Sequence, residues 1–151
     1  MSEQTLVEPM RAPDIDAVLR LLGILFAQER DFAPHETRQR AALERLLAEP
    51  SLGVVLVARR DGRVIGSVTL LRSISTALGA EVAWLEDLVV QPTDRGNGTG
   101  HALLNACATF AAAQGWQRIS LLTDHDNRGA QRLYARHGYT HSEMVVLRRQ
   151  A

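Results

Sequence analysis

The sequence has no lysine, a single cysteine and no excess of charge. Its 151 residues include 17 basic residues, all of them arginine, and 17 acidic residues. This balance does not favour a nucleic-acid partner, because such partners select for clustered positive charge. The single cysteine, Cys107, excludes an intrachain disulfide and a Cys-x-x-Cys metal site. The five histidines show no paired spacing, so we expect surface or packing positions for them and no metal site.

Long apolar runs are also lacking. None reaches the ~18 residues that a membrane-spanning helix requires. The first residues have neither the basic start nor the apolar run of a signal peptide. We therefore expect a cytoplasmic protein without membrane association. The length suits one domain over residues 1–151, and no repeat or linker interrupts the chain.

Apolar periodicity predicts an alternation of strands and helices. The Asp61-Gly62 dipeptide predicts a tight hairpin turn, and Pro50 and Pro92 end the elements before them. The resulting order, β-α-α-β-β-β-α-β-α-β, is typical of a domain with a mixed α/β sheet. Strands are predicted for residues 5–11, 52–60, 63–75, 82–90, 117–123 and 142–149, and helices for residues 13–26, 35–50, 101–115 and 127–138.

The segment "DRGNGTGHALL", residues 94–104, has three glycines in five residues directly before a helix. The first N–H groups of a helix have no internal partner and carry the positive end of the helix dipole. Asn97 is a candidate to cap one of them. Because glycines let a ligand approach the backbone, the segment predicts a phosphate cradle, with Arg95 as a charged donor at its rim. A loop whose glycines only satisfy turn geometry is the alternative.

The segment "LEDLVVQPTDRGNGTGHALL" resembles the signature of the GNAT superfamily of acetyl-CoA-dependent N-acetyltransferases. That signature is [R/Q]-x-x-G-x-[G/A] at the start of a helix, and Arg95, Gly98 and Gly100 fill it. The segment lacks the Gly-Lys-Ser/Thr of a P-loop, and it lies too late in the chain for a Rossmann fingerprint.

A second segment, "DNRGAQRLYARHGY", is similar to the other signature of the same family. Asn127 is followed seven residues later by Tyr134, and then by Gly138 and Tyr139. The element order is also similar, so the resemblance covers most of the chain. It implies an α/β fold in which helices flank a mixed, mostly antiparallel central sheet, with strands that splay at an acetyl-CoA cleft.

The resemblance also implies acetyl-CoA as cosubstrate. The backbone of residues 95–100 would hold the pyrophosphate of coenzyme A, and the backbone around Leu88 and Val90 would pair with the pantetheine arm. An N–H near Val89 or Val90 would polarise the thioester carbonyl, and Asn127 would bind the pantetheine or the strand backbone. The implied cofactor-binding set is Leu88, Val89, Val90, Arg95, Gly96, Asn97, Gly98, Thr99, Gly100, Asn127 and Tyr134.

Two carboxylates, Glu86 and Asp87, interrupt an apolar strand. A carboxylate on a central strand is costly unless it is hydrogen-bonded or functional. Strict alternation places Glu86 on one face with Trp84, Leu88 and Val90, and a bulge would shift that parity. The resemblance to members with the same "LED" strand implies that Glu86 is the general base, through water, and that Asp87 binds the acceptor amine. Ion pairs with nearby arginines are the alternative for both.

Tyr134 lies on the stripe of its helix that faces the core. The resemblance implies that its hydroxyl donates a proton or a hydrogen bond to the departing sulfur of coenzyme A. The alternative is a packing aromatic with its hydroxyl at the surface. Cys107 lies on the apolar stripe of the preceding helix, so we expect it to be buried and inert, without an acyl-cysteine role.

The acceptor amine cannot be read from the residues. The resemblance implies a pocket formed by the first two helices, their connecting loop and the loop before the signature strand. Glu29, Asp31 and Glu81 are candidates to attract a cationic amine there, and Phe32 and Trp84 to line the pocket. A charge run is more often a solvated surface, and small-molecule and protein amines both remain open.

These observations predict an N-acetyltransferase that moves an acetyl group from acetyl-CoA to a primary amine by direct transfer in a ternary complex. A homodimer is a further expectation, for which the residues give no pattern. The first alternative is a non-catalytic acetyl-CoA-binding sensor or module, which would need neither Glu86 nor Tyr134. The second is an α/β domain that binds a different phosphate ligand.

Overall fold

The computed structural model describes residues 4–28 and 35–151. Within these ranges helices lie on both faces of one sheet, so the predicted mixed, mostly antiparallel α/β architecture is confirmed. No helix of the described chain is both long enough and apolar enough to cross a membrane. The strands are β1 Leu6–Pro9, β2 Gly53–Arg60, β3 Arg63–Ser75, β4 Ala80–Val90 and β5 Ile119–Leu121, and the helices are α1 Ile15–Gln28, α2 Glu36–Ala48, α3 Thr99–Gln114 and α4 Arg128–Arg136.

The strands lie side by side in chain order, from β1 at one edge to β5 at the other. All neighbouring pairs are antiparallel except β4 and β5, which are parallel because α3 carries the chain back between them. The predicted turn between β2 and β3 is present, with φ of 54° at Asp61 and 72° at Gly62. A two-residue turn with positive φ at both positions matches the twist of the flanking strands.

β2 is apolar along most of its length because both faces of the sheet are covered. Val55 and Val57 pack with α1 and α2, whereas Leu56 and Ala58 pack with α3 on the opposite face. Successive side chains of a strand point to opposite faces, so a strand between two helical layers needs a continuous apolar run. The two cores hold the sheet rigidly between the helices.

The edge strand β1 is fastened to β2 by an ion-pair network. The Arg59 guanidinium donates to Asp14 at 2.8 and 2.6 Å and to Glu8 at 2.6 Å. The hydrogen bonds from Arg59 lower the pKa of Asp14, and those bonds raise the pKa of Arg59 in turn. Because Asp14 and Arg59 are both largely buried, loss of one partner would leave a desolvated charge in the fold.

The strand predicted for residues 142–149 does not form, and that prediction is wrong. Residues 144–147 are irregular and highly exposed: Met144 87%, Val145 81%, Val146 55% and Leu147 91%. An extended segment becomes a strand only beside a chain that shares its hydrogen bonds, and β4 is the only neighbour that β5 has in the described sheet. The apolar residues indicated a local preference for extended backbone, but they carried no information about a neighbouring strand to pair with.

Candidate active site

β4 has a strand on both sides along only part of its length. It pairs with β3 from Ala80 to Val90, but β5 pairs with it only from Ala83 to Leu85. Beyond Leu85, no strand of the described chain covers this side of β4. β5 itself ends at Leu121, opposite Leu85, so this side of β4 is an open strand edge, which can take an extended ligand as an added strand.

A β-bulge interrupts β4 at Asp87. Ser67 pairs with Val89 and Thr69 pairs with Glu86. The two β3 residues are two positions apart, whereas their partners in β4 are three positions apart, so β4 contains one extra residue. Asp87 has a φ of 56°, in the left-handed region that few non-glycine residues adopt. Such a conformation costs on the order of 1–3 kcal/mol and persists where the surrounding structure imposes it, often at functional sites.

The bulge changes which side chains at the end of β4 face the α3-side core. Leu88 and Val90 pack against the same core as Leu85, on the α3 side, while Trp84 and Glu86 point to the other face. The alternation that grouped Leu88 and Val90 with Glu86 is therefore wrong. One extra residue reverses the side-chain parity of everything that follows it.

The hydrogen-bond pattern identifies which backbone groups reach the open edge. The N–H of Gln91 bonds to the carbonyl of Ile65 in β3, at 2.7 Å. Because alternate residues of an antiparallel strand face the partner, the N–H and carbonyl of Val90 point away from β3. The Nε of Arg95 donates to that carbonyl at 3.1 Å, which agrees with this orientation. Of the two candidate N–H groups, Val90 is thus at the open edge and Val89 faces β3.

Glu86 lies on the face of the sheet that α1 and α2 cover. Its cross-strand partner Thr69 pairs in turn with Val55, which belongs to the α1–α2 core. The Glu86 side chain is exposed, and it makes no ion pair with the part of the chain that the structure describes. Trp84 is 39% exposed on the same face. An arginine partner for Glu86 therefore finds no support among residues 4–28 and 35–151.

Other predicted acceptor residues fall into two groups. Glu81 forms an ion pair with Arg72 at 3.0 Å, so its charge is already engaged. Glu29, Asp31 and Phe32 lie outside the described residues.

The glycine segment forms an exposed turn that leads directly into α3. Gly96 and Gly98 have φ of 81° and 82°, and a Cβ added at either position would meet no atom within 4 Å. Gly98 is the N-cap of α3 and no side chain caps the helix, so the capping role considered for Asn97 is absent. The first N–H groups of α3 therefore lie beside open space at the positive end of the helix.

Gly100 and Thr99 have different surroundings from the glycines before them. A Cβ added at Gly100 would lie 3.0 Å from Cδ2 of Leu133, so this glycine lets α3 and α4 approach each other closely. Thr99 is 2% exposed, and its buried Oγ1 has no hydrogen-bond partner in the described residues. Thr99 faces the core, and of this segment only residues 95–98 are exposed.

Tyr134 lies on α4 against the α3-side core. Its ring contacts the edge of Tyr139 at a centroid distance of 5.8 Å. Burial raises the pKa of Tyr134 to about 12, so its hydroxyl remains a proton donor at neutral pH. Cys107 is fully buried, as predicted, and burial raises its pKa to about 12. A thiol that stays protonated is a poor nucleophile, so an acyl-cysteine is disfavoured.

Asn127 begins α4 as its N-cap. Its Oδ1 accepts a hydrogen bond from the N–H of Ala130 at 3.2 Å, which leaves the side-chain amide group for another partner. Sequence reasoning gave Asn127 a ligand-binding role and missed this capping role. The Asn-Arg-Gly start of the helix carried the signal, because asparagine is a preferred N-cap.

A histidine pair beside the glycine segment was also missed. Nδ1 of His101, in the first turn of α3, lies 2.8 Å from Nε2 of His137, at the end of α4. Burial and the neighbouring His101 lower the pKa of His137. The bond between the two rings joins the start of α3 to the end of α4. The residues are 36 apart in sequence, and only the packing of α3 on α4 brings them into contact. Across the described ranges, no group of three or more potential metal ligands is present.

Comparison with known proteins assigns the family. The family model "Acetyltransferase (GNAT) family" matches residues 19–139. An uncharacterized N-acetyltransferase from Bacillus subtilis (strain 168) is 34% identical over 117 residues, which are 76% of this chain and 78% of that protein. The aminoalkylphosphonate N-acetyltransferase from Salmonella typhimurium (strain LT2) is 30% identical over 129 residues, 85% of this chain and 80% of that protein. The chain belongs to the GNAT acetyltransferase family, and the resemblance seen in its two motifs is confirmed.

Solved structures show the same fold. An aminoglycoside N-acetyltransferase in complex with CoA superposes with a TM-score of 0.84 at 19% identity, covering 99% of this chain and 97% of that chain. At this identity the likeness concerns the fold.

The two tyrosines give a direct test of how α4 packs. Burial raises the pKa of both Tyr134 and Tyr139 to about 12, against about 10 in an unfolded chain. We expect the ultraviolet absorbance of tyrosinate to appear about two pH units later in the native protein than in denaturant. Because the protonated form is favoured by folding, stability should fall as pH rises from about 10 towards 12. Titration of the native protein near pH 10 would contradict the burial of these rings.

Proposed function

We propose that this protein is an acetyl-CoA-dependent N-acetyltransferase that transfers the acetyl group directly to a primary amine in a ternary complex. The observation that carries the proposal is the open edge of β4, which leads within a few residues into the uncapped start of α3. An extended ligand arm that ends in a phosphate fits this arrangement, because it would meet the backbone groups of β4 first and the N–H groups at the start of α3 next.

The residues present fit coenzyme A. The cradle, Arg95–Gly98, is exposed and has open space where side chains would stand, so a pyrophosphate can approach the first N–H groups of α3. The outward backbone of Leu88 and Val90 would pair with the pantetheine arm, and Asn127 would contact the arm through its free amide group. In this arrangement the N–H of Val90 is the donor for the thioester oxygen as it becomes negative.

The chemistry needs a base on the acceptor side and an acid on the donor side. Acetyl-CoA supplies the thioester, whose carbonyl carbon the amine attacks and whose thiolate leaves. Glu86, exposed on the α1–α2 face, would take the amine proton through water, and Asp87 would hold the cationic amine beforehand. The Tyr134 hydroxyl, protonated at neutral pH, would donate to the thiolate.

The two sides of β4 support a ternary complex rather than a covalent enzyme intermediate. Glu86 and Trp84 lie on the α1–α2 face, whereas the open edge and the cradle adjoin α3. Donor and acceptor would thus enter from different sides and meet at the bulge. The burial of Cys107 removes the one thiol from consideration.

The acceptor is proposed only as a primary amine, on a small molecule or a protein. The Salmonella relative is named for an aminoalkylphosphonate acceptor, so an aminoalkylphosphonate belongs in the panel of amines to be assayed. A cytoplasmic location and a homodimer remain predictions. A non-catalytic binding module remains the alternative, and the exposed Glu86 carboxylate argues against it because binding alone does not require a base.

Acetyl-CoA should stabilise the fold through the cradle. At about a hundredfold excess over Kd, we expect a gain of about 2.7 kcal/mol in unfolding free energy, measured as a rise in Tm. Gly98→Glu should abolish the rise, because it places bulk and negative charge beside the pyrophosphate. Gly79→Glu is the matched control: Gly79 also has positive φ, 61°, and open surroundings, but lies in the β3–β4 turn. Normal binding by Gly98→Glu would refute the cradle.

Glu86 should control the pH dependence of transfer. The amine arrives protonated, so kcat/KM is expected to rise with pH to a plateau. Glu86→Gln keeps the size but accepts no proton, so it should slow transfer most at low pH and recover partly at high pH. Asp87→Asn is expected to act mainly on the KM of the acceptor, and asparagine tolerates the positive φ of the bulge. Wild-type rates for Glu86→Gln at every pH would remove Glu86 from the mechanism.

Tyr134→Phe should lower kcat by ~10–10²-fold, since general acids contribute about that much or more and a thiolate leaves fairly well unaided. Acetyl-CoA binding and Tm should barely change, because the ring is retained. Tyr139→Phe is the matched control, since the two rings touch and both have a raised pKa. If the steady-state kcat falls equally in both variants, or falls in neither, Tyr134 has a packing role only.

A further inference from the structure

The start of the cradle is joined to the β2–β3 hairpin by an ion pair. Asp94 ends the short 3-10 turn Pro92–Asp94 and directly precedes Arg95. Its Oδ1 lies 3.9 Å from Nη1 of Arg60, the last residue of β2, and the two side chains are 12% and 18% exposed. Arg60 is itself held by a hydrogen bond of 2.8 Å from Nη2 to Oγ1 of Thr5. A partly desolvated guanidinium thus connects strand β2 to the loop that leads into the cradle.

The burial of Arg60 is not explained by its own hydrogen bonds. Its Nε is buried and has no partner in the chain as described, and a buried donor left unpaired normally costs stability. Arg63, which pairs with Arg60 across the same hairpin, is exposed. One arginine of the hairpin is therefore turned inward towards Asp94 while its neighbour remains in solvent.

The charge of Asp94 makes this pairing significant. A carboxylate that directly precedes the cradle would repel the phosphates of a bound ligand. Because Asp94 is largely buried, solvent screens it less than a surface charge. The guanidinium of Arg60 offsets that charge from the side of the sheet. The ion pair also links the end of the turn to the sheet, directly before residues 95–98.

We propose that Arg60 is a positioning residue for the cradle, acting through Asp94 on the binding of the pyrophosphate of coenzyme A. This inference rests on the proposed function. In this proposal Arg60 contacts neither the thioester nor the acceptor and acts only through Asp94. Its effect is confined to the part of acetyl-CoA that lies beyond the pantetheine arm. The KM of an acetyl donor that lacks the pyrophosphate should therefore not depend on Arg60.

The experiment compares acetyl-CoA with S-acetylpantetheine, which keeps the thioester and the arm but has no pyrophosphate. In the full chain, Arg60→Met should raise the KM for acetyl-CoA roughly tenfold, a size common for residues that share one ion-pair network. The kcat should stay within about twofold, and both constants for S-acetylpantetheine should be unchanged. Arg60→Lys keeps the charge and should recover part of the loss. The acetyl-CoA-induced rise in Tm reports binding independently of turnover.

Two further variants separate the electrostatic effect from a general loss of structure. Arg63→Met changes an exposed arginine of the same hairpin and should leave every constant unchanged. Adding Asp94→Asn to Arg60→Met removes the uncompensated carboxylate and should lower the KM again towards the wild-type value.

Equal losses with both donors, or an unchanged KM for acetyl-CoA in Arg60→Met, would overturn the positioning role while leaving the proposed function intact. A wild-type protein that shows neither an acetyl-CoA-induced rise in Tm nor transfer from acetyl-CoA would overturn both.

Discussion

β4 pairs with β3 from Ala80 to Val90, with one bulge at Asp87, but it pairs with β5 only at Ala83–Leu85. From the short pairing with β5 follows the open edge of β4, and the register with β3 turns the N–H of Val90 towards that edge. Buried backbone groups must find partners. A strand inside a sheet that leaves one side uncovered is therefore a place where a ligand completes the hydrogen bonding. The bulge at Asp87 lies at the same level and turns the following side chains into the core.

The same strand separates the two halves of the proposed reaction. Its α1–α2 face presents Glu86 and Trp84, while its open edge adjoins the start of α3. α4 completes the donor side because Gly100 lets Leu133 approach to contact distance, and the His101–His137 pair fastens the two helices at that point. Glycine in this segment thus has two structural consequences: open space beside the backbone at Gly96 and Gly98, and close packing of helices at Gly100.

Local patterns predicted most of the elements because each depends on residues close in sequence. The Asp61-Gly62 turn, the apolar run of β2 and the helix that follows the glycine segment all formed as expected. The predictions failed where contact with a second, distant segment of the chain determines the local structure. Residues 142–149 found no neighbouring strand, and the parity of Leu88 and Val90 depended on a bulge that only the register with β3 reveals. Arg60 belongs to no motif, and 34 residues separate it from Asp94.

The sequence by itself determined the family, the order of strands and helices up to α4, and the residues that are candidates for chemistry. Motif spacing and periodicity can be read from the order of the residues alone, without knowledge of how the chain packs. Tertiary structure alone decided which N–H of Val89 and Val90 faces outward, which carboxylates are paired and how high the pKa of Tyr134 lies. These properties depend on hydrogen-bond partners, distances between charges and exclusion of water, which arise only when segments distant in sequence pack together.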